Sequence, residues 1–296
     1  MIEIKTPRPS QHNTHAHAHR HILREFQKKI MSGLTQSGGL SQRHIQMGLE
    51  GRHVTDDSKK SESTLNGAMP SIIAYAENMM ALKNGKIRYE KTVSLYDCQT
   101  AFVRYGGLSP DPDNKKVSMK PDGGIIFGIL DGKEFPLLIV EDKVQGTNDT
   151  LFEQDKKRQA TGNAIERAGK NIRGCEMLCA GTNYFPYALF CSGCDFHSTE
   201  TIAKRIVMMN YGQPNHYIEI GPTTTQPEIN DQIKKVVSDI NIKTKYGGKS
   251  VASVFVKSHK YNLMKHGASR WTASEISSIC HRIIDQSVEL LSKVTH

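Results

Sequence analysis

The order of apolar and polar positions predicts alternating strands and helices along the chain. Two apolar runs, Gly124–Leu130 and 135–140, flank Asp131-Gly132, the dipeptide favoured in a two-residue type I′ hairpin turn. Further strands are expected at 187–191, 217–220 and 251–256, and helices at 23–31, 72–82 and Ala273–Val294. This alternation is typical of an α/β protein with one central mixed sheet.

Residues 160–170 (A-T-G-N-A-I-E-R-A-G-K) predict a short helix with an entirely polar stripe that follows a glycine. Asn163, Glu166, Arg167 and Lys170 have the spacing i, i+3, i+4 and i+7, which places them on one helical face. A solvated face with a Glu–Arg pair explains such a stripe. For an arbitrary polar stripe this is the usual explanation. The alternative is a surface that presents an amide, a carboxylate and a guanidinium to one polar partner.

Composition narrows the class of protein. The 296 residues are 37% hydrophobic and 23% charged, which suits a soluble protein of one large domain or two small ones. The net charge of +9 is compatible with a nucleic-acid partner. No apolar run reaches the roughly 18 residues of a transmembrane helix, and no secretory signal is visible. We therefore expect a cytoplasmic protein without a membrane partner.

Two groups of potential metal ligands have simpler explanations. The histidine-rich stretch at 15–21 (H-A-H-A-H-R-H) lacks neighbouring cysteines or carboxylates, which favours a mobile polar tail over a metal site. Cys175, Cys179, Cys191 and Cys194 have spacings that zinc accepts, but Cys191 ends a predicted core strand. Buried free thiols are the favoured interpretation of the four cysteines, and a zinc site is the alternative.

The predicted hairpin brings three charged residues to its open end. A two-residue turn pairs positions whose numbers add to 263, so Asp122 is expected directly opposite Glu141, with Lys143 on the same face. Two facing carboxylates need a cation between them, and a hard divalent ion is suited to oxygen ligands. The pattern P-D-x18-E-x-K is typical of metal-dependent phosphodiester cleavage, although a surface ladder with a weak ion pair would also produce it.

These stretches together resemble the EcoRI family of type II restriction endonucleases. The likeness lies in S-M-K-P-D-G-G-I (118–125), E-D-K-V-Q-G (141–146), G-N-A-I-E-R-A-G-K-N-I (162–172), F-P-Y-A-L-F (185–190) and N-Y-G-Q-P (210–214). It implies a PD-(D/E)xK nuclease core with a central mixed sheet of the five-stranded type, flanked by helices. It also implies a flexible extension at 1–30 and one catalytic and DNA-recognition domain at 31–296.

The resemblance implies a bacterial, Mg²⁺-dependent homodimer that cleaves palindromic double-stranded DNA and leaves 5′ overhangs. A cognate DNA methyltransferase would act in the same system. Asp122 and Glu141 correspond to the metal ligands and Lys143 to the catalytic lysine, with Gln145 in support. The implied reaction is attack of an activated water on phosphorus, in line with the 3′-oxygen leaving group.

The G-N-A-I-E-R stretch is similar to the family's recognition element. Asn163 and Arg167 correspond to residues that read the inner A·T pairs of an AATT core. Glu166 would accept a hydrogen bond from an adenine amino group or hold Arg167 of the partner subunit. Gly162 would let the backbone approach the bases closely. The predicted recognition set also includes Gln159, Ala160, Thr161 and Arg205, with Lys204 in support. Gln159, Thr161 and Ile202 depart from the relatives that cut GAATTC, and these departures leave the outer base pair open. GAATTC is the favoured site, and another AATT-centred palindrome such as CAATTG stays open.

Two other functions stay open beside restriction. A repair or junction nuclease could use the same catalytic hairpin, although it would not need a base-reading stripe. A DNA-binding protein with an inactive hairpin is the non-enzymatic alternative.

Overall fold

A six-stranded mixed sheet forms the centre of the protein, as seen in a computed structural model. The structure describes residues 54–103, 109–144, 162–197, 212–246, 249–260 and 269–294. Asp57–His296 form one compact unit. The expected domain boundary near residue 30, the histidine-rich stretch and the predicted helix at 23–31 lie outside the described residues. Among the described helices, none is long and apolar enough to cross a membrane.

The helices are α1 (Val54–Ala81), α2 (Leu95–Val103), α3 (Gly162–Glu176), α4 (Gln226–Asp239) and α5 (Ala273–Val294). The strands are β1 (Lys86–Glu90), β2 (Val93–Ser94), β3 (Ser118–Met119), β4 (Gly124–Leu130), β5 (Lys133–Val144), β6 (Tyr187–Ser192), β7 (Gly212–Ile220), β8 (Lys245–Tyr246), β9 (Lys249–Ser250) and β10 (Ala252–His259). Short 3₁₀ turns occur at Pro112–Lys116, Met177–Cys179 and Cys194–Phe196.

The strand order is β1-β4-β5-β6-β10-β7. Strand β4 is antiparallel to both of its neighbours, whereas β5, β6, β10 and β7 run parallel to one another. The predicted mixed α/β sheet is therefore confirmed, with six strands in place of the expected five-stranded type. The sequence K-I-R-Y-E of β1 has no apolar run because this edge strand is half exposed, so the hydrophobic pattern did not predict it.

Helices cover both faces of the sheet. On one face, α1, α4 and α5 pack through residues such as Ile72, Ile233 and Ile283. On the other face, α2 and α3 pack through residues such as Cys98 and Ile172. Because both faces are covered, the central strands read as continuous apolar runs and not as alternating ones.

Most predicted elements agree with the structure. Strand β4 and helix α5 have the predicted bounds, and the other predicted strands lie within β5, β6, β7 and β10, apart from the first residue of 251–256. Trp271 is a buried packing residue, and its indole nitrogen donates to the Cys191 carbonyl at 3.0 Å. Cys175, Cys179, Cys191 and Cys194 are buried and are not part of a disulfide, so their predicted burial is confirmed.

The register of the β4–β5 hairpin differs from the prediction. Asp131 and Gly132 have positive φ (50° and 75°), as a type I′ turn requires, and the first four pairs add to 263. A bulge then makes Leu137 an extra residue, and the remaining pairs, such as Gly124 with Val140, add to 264. Pro136 precedes the bulge and has no N–H for the ladder, which is a position where proline is tolerated in a sheet. The expectation that Asp122 lies directly opposite Glu141 is therefore wrong.

Candidate active site

Three charged side chains nevertheless meet at the carboxyl end of β5. The ammonium of Lys143 lies 2.6 Å from Asp122 Oδ2 and 2.5 Å from Glu141 Oε1. It also donates to the carbonyl of Asp142 at 3.1 Å. The structure thus brings together the three residues predicted from P-D-x18-E-x-K, with the lysine between the two carboxylates.

The P-D-G-G segment places Asp122 in a turn before β4, outside the strand ladder. Gly123 N donates to Val140 O at 2.9 Å, and this bond fixes the turn against β5. Gly124 has φ +73°, and a Cβ there would lie 2.7 Å from the carbonyl oxygen of Glu90, so only glycine fits. Asp142 N donates to Asp122 Oδ2 at 3.3 Å. Because the turn directs Asp122, its carboxylate reaches Lys143 despite the shifted register.

The side chain of Glu141 is buried, and its orientation is fixed by partners on both carboxylate oxygens. Only 2% of its side chain is exposed, in contrast to 38% for Asp122. Its Oε2 accepts hydrogen bonds from Tyr187 OH at 3.0 Å and from Asn171 Nδ2 at 2.8 Å, and its Oε1 faces Lys143. Glu141 therefore has partners on both oxygens, which fixes the plane of the carboxylate.

Burial and the two carboxylates set the protonation of the site. Burial raises the pKa of Glu141 above its ordinary value, while Lys143 lowers it and Asp122 raises it. For Lys143, burial lowers the pKa, but Glu141 and Asp122 outweigh burial and leave the pKa above its ordinary value. Lys143 is therefore an ammonium ion at neutral pH. Burial, together with Glu141, raises the pKa of Tyr187 well above its ordinary value, so its hydroxyl is a donor.

The donor set suits a hard divalent ion. Asp122 and Glu141 offer carboxylate oxygens on either side of a cationic group, and the carbonyl of Asp142 lies beside them. Within the described residues there is no group of three or more histidine, cysteine or acidic side chains that could hold a metal. Mg²⁺ is commonly bound by only one or two carboxylates, with water completing its shell, so a two-carboxylate site fits it.

Sequence reasoning did not assign roles to Asn171 or Tyr187. Asn171 lies inside the G-N-A-I-E-R-A-G-K-N-I stretch, but its contact with Glu141 spans elements that are distant in sequence. Tyr187 begins β6, which is parallel to β5 and pairs Leu189 with Glu141. The parallel pairing of β5 with β6 brings Tyr187 close to Glu141. Hydrophobic periodicity does not predict which strands pair, so it could not identify Tyr187.

The polar stripe lies on α3, the helix that begins at Gly162. Glu166, Arg167 and Lys170 are exposed, and Asn163 lies in the first turn. Buried Ile165 and Ile172 anchor the opposite side of the helix. The other predicted recognition and supporting residues lie outside the described residues: Gln145, Gln159, Ala160, Thr161, Lys204 and Arg205.

Comparison with known proteins agrees with this geometry. A family model described as "Restriction endonuclease EcoRI" matches residues 113–296. The chain is 29% identical over 204 residues to the type II restriction enzyme EcoRI of Escherichia coli. That alignment covers 61% of this chain and 70% of the relative. The region that the family model matches includes the three charged residues and α3.

Proposed function

Since the chain belongs to the EcoRI family of restriction endonucleases, we propose that it hydrolyses both strands of a palindromic DNA site with an AATT core. The enzyme class, a type II restriction endonuclease acting on DNA, follows from the family. The proposed site is GAATTC, with CAATTG as the alternative, and cleavage leaves 5′ overhangs. The proposed cofactor is Mg²⁺. One observation carries the proposal: Lys143 bridges Asp122 and Glu141 at the end of a buried strand.

Each residue of the site has a distinct role in the proposed chemistry. Asp122 and Glu141 would hold the Mg²⁺ ion, which would supply positive charge for the phosphate and lower the pKa of a bound water. Lys143 orients the attacking water and offsets the charge that develops on the phosphoryl oxygens. The water oxygen forms a bond to phosphorus while the bond from phosphorus to the 3′-oxygen breaks, which yields a 5′-phosphate and a 3′-hydroxyl. The three residues and the metal define a PD-(D/E)xK nuclease site.

Recognition is assigned to α3 and to residues near it in sequence. Asn163 and Arg167 read adenine and the neighbouring purine edges of the inner A·T pairs, since asparagine and arginine pair bidentately with purines in the major groove. Gln159, Thr161 and Arg205 are assigned to the outer base pair, with Lys204 and phosphate-binding lysines in support. Exposed Lys115 and Lys116 lie shortly before the P-D-G-G segment, a suitable position for phosphate contacts.

A palindromic site also supports a homodimer. A two-fold symmetric target is matched by two copies of one chain related by a two-fold axis, each of which cuts one strand. The proposed system includes a methyltransferase that protects the same sequence in the host. That enzyme is a functional partner and does not need to bind this chain.

The test is to incubate the protein with plasmid DNA and Mg²⁺ and to sequence the ends of the fragments. Discrete fragments that begin with AATT are expected, and the sequence across each junction gives the outer base pair. Lys143→Met, which keeps the length of the side chain without its charge, is the matched inactive control. Cleavage confined to branched or damaged DNA would refute the restriction function and favour a junction or repair nuclease. Equal cleavage by Lys143→Met would refute the catalytic assignment.

A further inference from the structure

We propose that Asn171 is a positioning residue that fixes Glu141 and the P-D-G-G segment to the base-reading helix α3. The inference rests on the proposed function for the roles of Glu141 and α3. Asn171 does not reach a DNA base or a reacting atom in this proposal. It acts by holding the side chain of Glu141 and the backbone that leads to Asp122.

Three hydrogen bonds use the whole amide of Asn171. Its Oδ1 accepts from Lys120 N at 3.1 Å, and its Nδ2 donates to Lys120 O at 3.1 Å and to Glu141 Oε2 at 2.8 Å. A primary amide offers one acceptor and two donor hydrogens, which is the set that these three contacts require. An aspartate would lose both donors and would place a second negative charge beside Glu141. The contact pattern is therefore specific for asparagine.

Asn171 lies on the same helix as the residues that are proposed to read the bases. Asn171 lies four residues after Arg167, so both occupy the same side of the helix one turn apart. Glu166, Arg167 and Lys170 are exposed, and Asn171 is only partly exposed because it turns toward the sheet. One turn after Arg167, the same helix therefore contacts the proposed catalytic carboxylate of Glu141 through Asn171.

A close approach of α3 to the segment before Asp122 makes the contacts possible. A Cβ at Gly174 would lie 2.1 Å from the sulfur of Met119, so a larger residue there would require the Met119 side chain to move. Met119 precedes Lys120, whose peptide groups Asn171 binds. Asn171 therefore touches both elements that carry the proposed metal ligands: it binds the Glu141 side chain and the backbone two residues before Asp122.

Coupling of this kind predicts a separation of cleavage from binding. When α3 docks correctly on the bases, the same helix sets the orientation of Glu141 and the P-D-G-G segment. Loss of Asn171 leaves the base-reading side chains in place but lets the two carboxylates move relative to each other. We expect a defect in the use of the metal and in the cleavage rate, with DNA affinity preserved.

The variants for the test are Asn171→Ala, which removes all three bonds, and Asn171→Leu, which keeps a similar volume without polar atoms. Asn230→Ala is the matched control, because Asn230 is an exposed helical asparagine on α4 with a side-chain bond to Gln226. Three quantities are measured for each protein: the affinity for an AATT-centred duplex without metal, the single-turnover cleavage rate over a range of Mg²⁺, and the rise in melting temperature caused by Mg²⁺ alone.

Both Asn171 variants should bind the duplex within about threefold of the unsubstituted protein and cleave it about 10–100-fold more slowly, as is usual when a residue that orients a metal ligand is lost. They should need more Mg²⁺ for half of the maximal rate and show a smaller thermal shift with Mg²⁺. Unchanged Mg²⁺ dependence and thermal shift would overturn the proposal. Loss of DNA affinity in parallel with cleavage would also overturn it. If the unsubstituted protein cuts no AATT duplex, the proposed function fails, and the thermal shift still decides the role of Asn171.

Discussion

Replacement of Lys143 by methionine should destabilise the protein because it leaves a buried carboxylate without its cation. The Glu141 side chain is 2% exposed and that of Lys143 is 19% exposed, with 2.5 Å between Nζ and Oε1. Removal of one partner of a buried ion pair costs about 3–5 kcal/mol. Since Lys143 is partly solvated and Glu141 keeps hydrogen bonds from Asn171 and Tyr187, we expect about 2–3 kcal/mol after allowance for screening.

The loss should depend on pH in a defined direction. Burial already raises the pKa of Glu141, and Lys143 opposes that rise. Without Lys143 the pKa of Glu141 in the folded state moves further above its value in the unfolded chain, so protonation favours folding. The stability deficit is therefore largest above the folded pKa and shrinks as the pH falls toward the unfolded value of about 4.3.

Thermal unfolding followed by circular dichroism at about pH 8 and about pH 5 measures both effects. At the higher pH the melting temperature should fall by about 5–10 °C, given roughly 2–4 °C per kcal/mol for a domain of this size. Lys293→Met is the control, because Lys293 and Glu289 form an exposed pair on α5 and its loss should leave the melting temperature unchanged. An equal melting temperature for Lys143→Met and the unsubstituted protein, or a larger deficit at the lower pH, would refute the reasoning.

Four further substitutions test the site. Glu141→Ala should abolish cleavage in a plasmid assay but retain specific binding in a gel shift, and loss of binding would contradict its assignment. Asn163→Ala should reduce the affinity penalty for a mismatched inner A·T pair, and an unchanged penalty in competition gel shifts would contradict it. Tyr187→Phe removes one donor to Glu141, so it should slow cleavage about tenfold and cost about 1–2 kcal/mol in urea unfolding. Gly124→Ala should lower the melting temperature by several degrees because φ +73° strains alanine by about 1–2 kcal/mol and its Cβ would meet Glu90.

The residues of the candidate site could be selected from the sequence because they are local signals at the ends of apolar runs. Asp122 precedes β4, and Glu141 and Lys143 follow the apolar run within β5. Asp131-Gly132 identifies the turn between these two strands. Charges that end a buried strand stand out in any sequence. The same reasoning could not predict β1, because its residues are half exposed and its pairing with β4 depends on the finished sheet.

Contacts between distant elements were the part that the sequence could not supply. Asn171 binds Lys120 and Glu141, which lie 51 and 30 residues away, and Tyr187 reaches Glu141 across a parallel strand pair. Such contacts depend on how closely α3 packs on the sheet. The distance between α3 and the sheet depends on small residues such as Gly174, and the hydrophobic periodicity of the sequence does not predict it.

The bulge in β5 explains why Glu141 faces α3 at all. Before the bulge, Pro136 pairs with Phe127 and shares its side of the sheet, which is the side of α3. In an uninterrupted strand, alternation from residue 136 would turn residue 141 to the opposite side, toward α1 and α5. Leu137 and Leu138 instead pack in the same core, so the bulge shifts the alternation by one residue. Glu141 therefore joins Tyr187 on the α3 side. The extra residue that shifts the predicted register is thus what allows α3 to contact the proposed catalytic carboxylate.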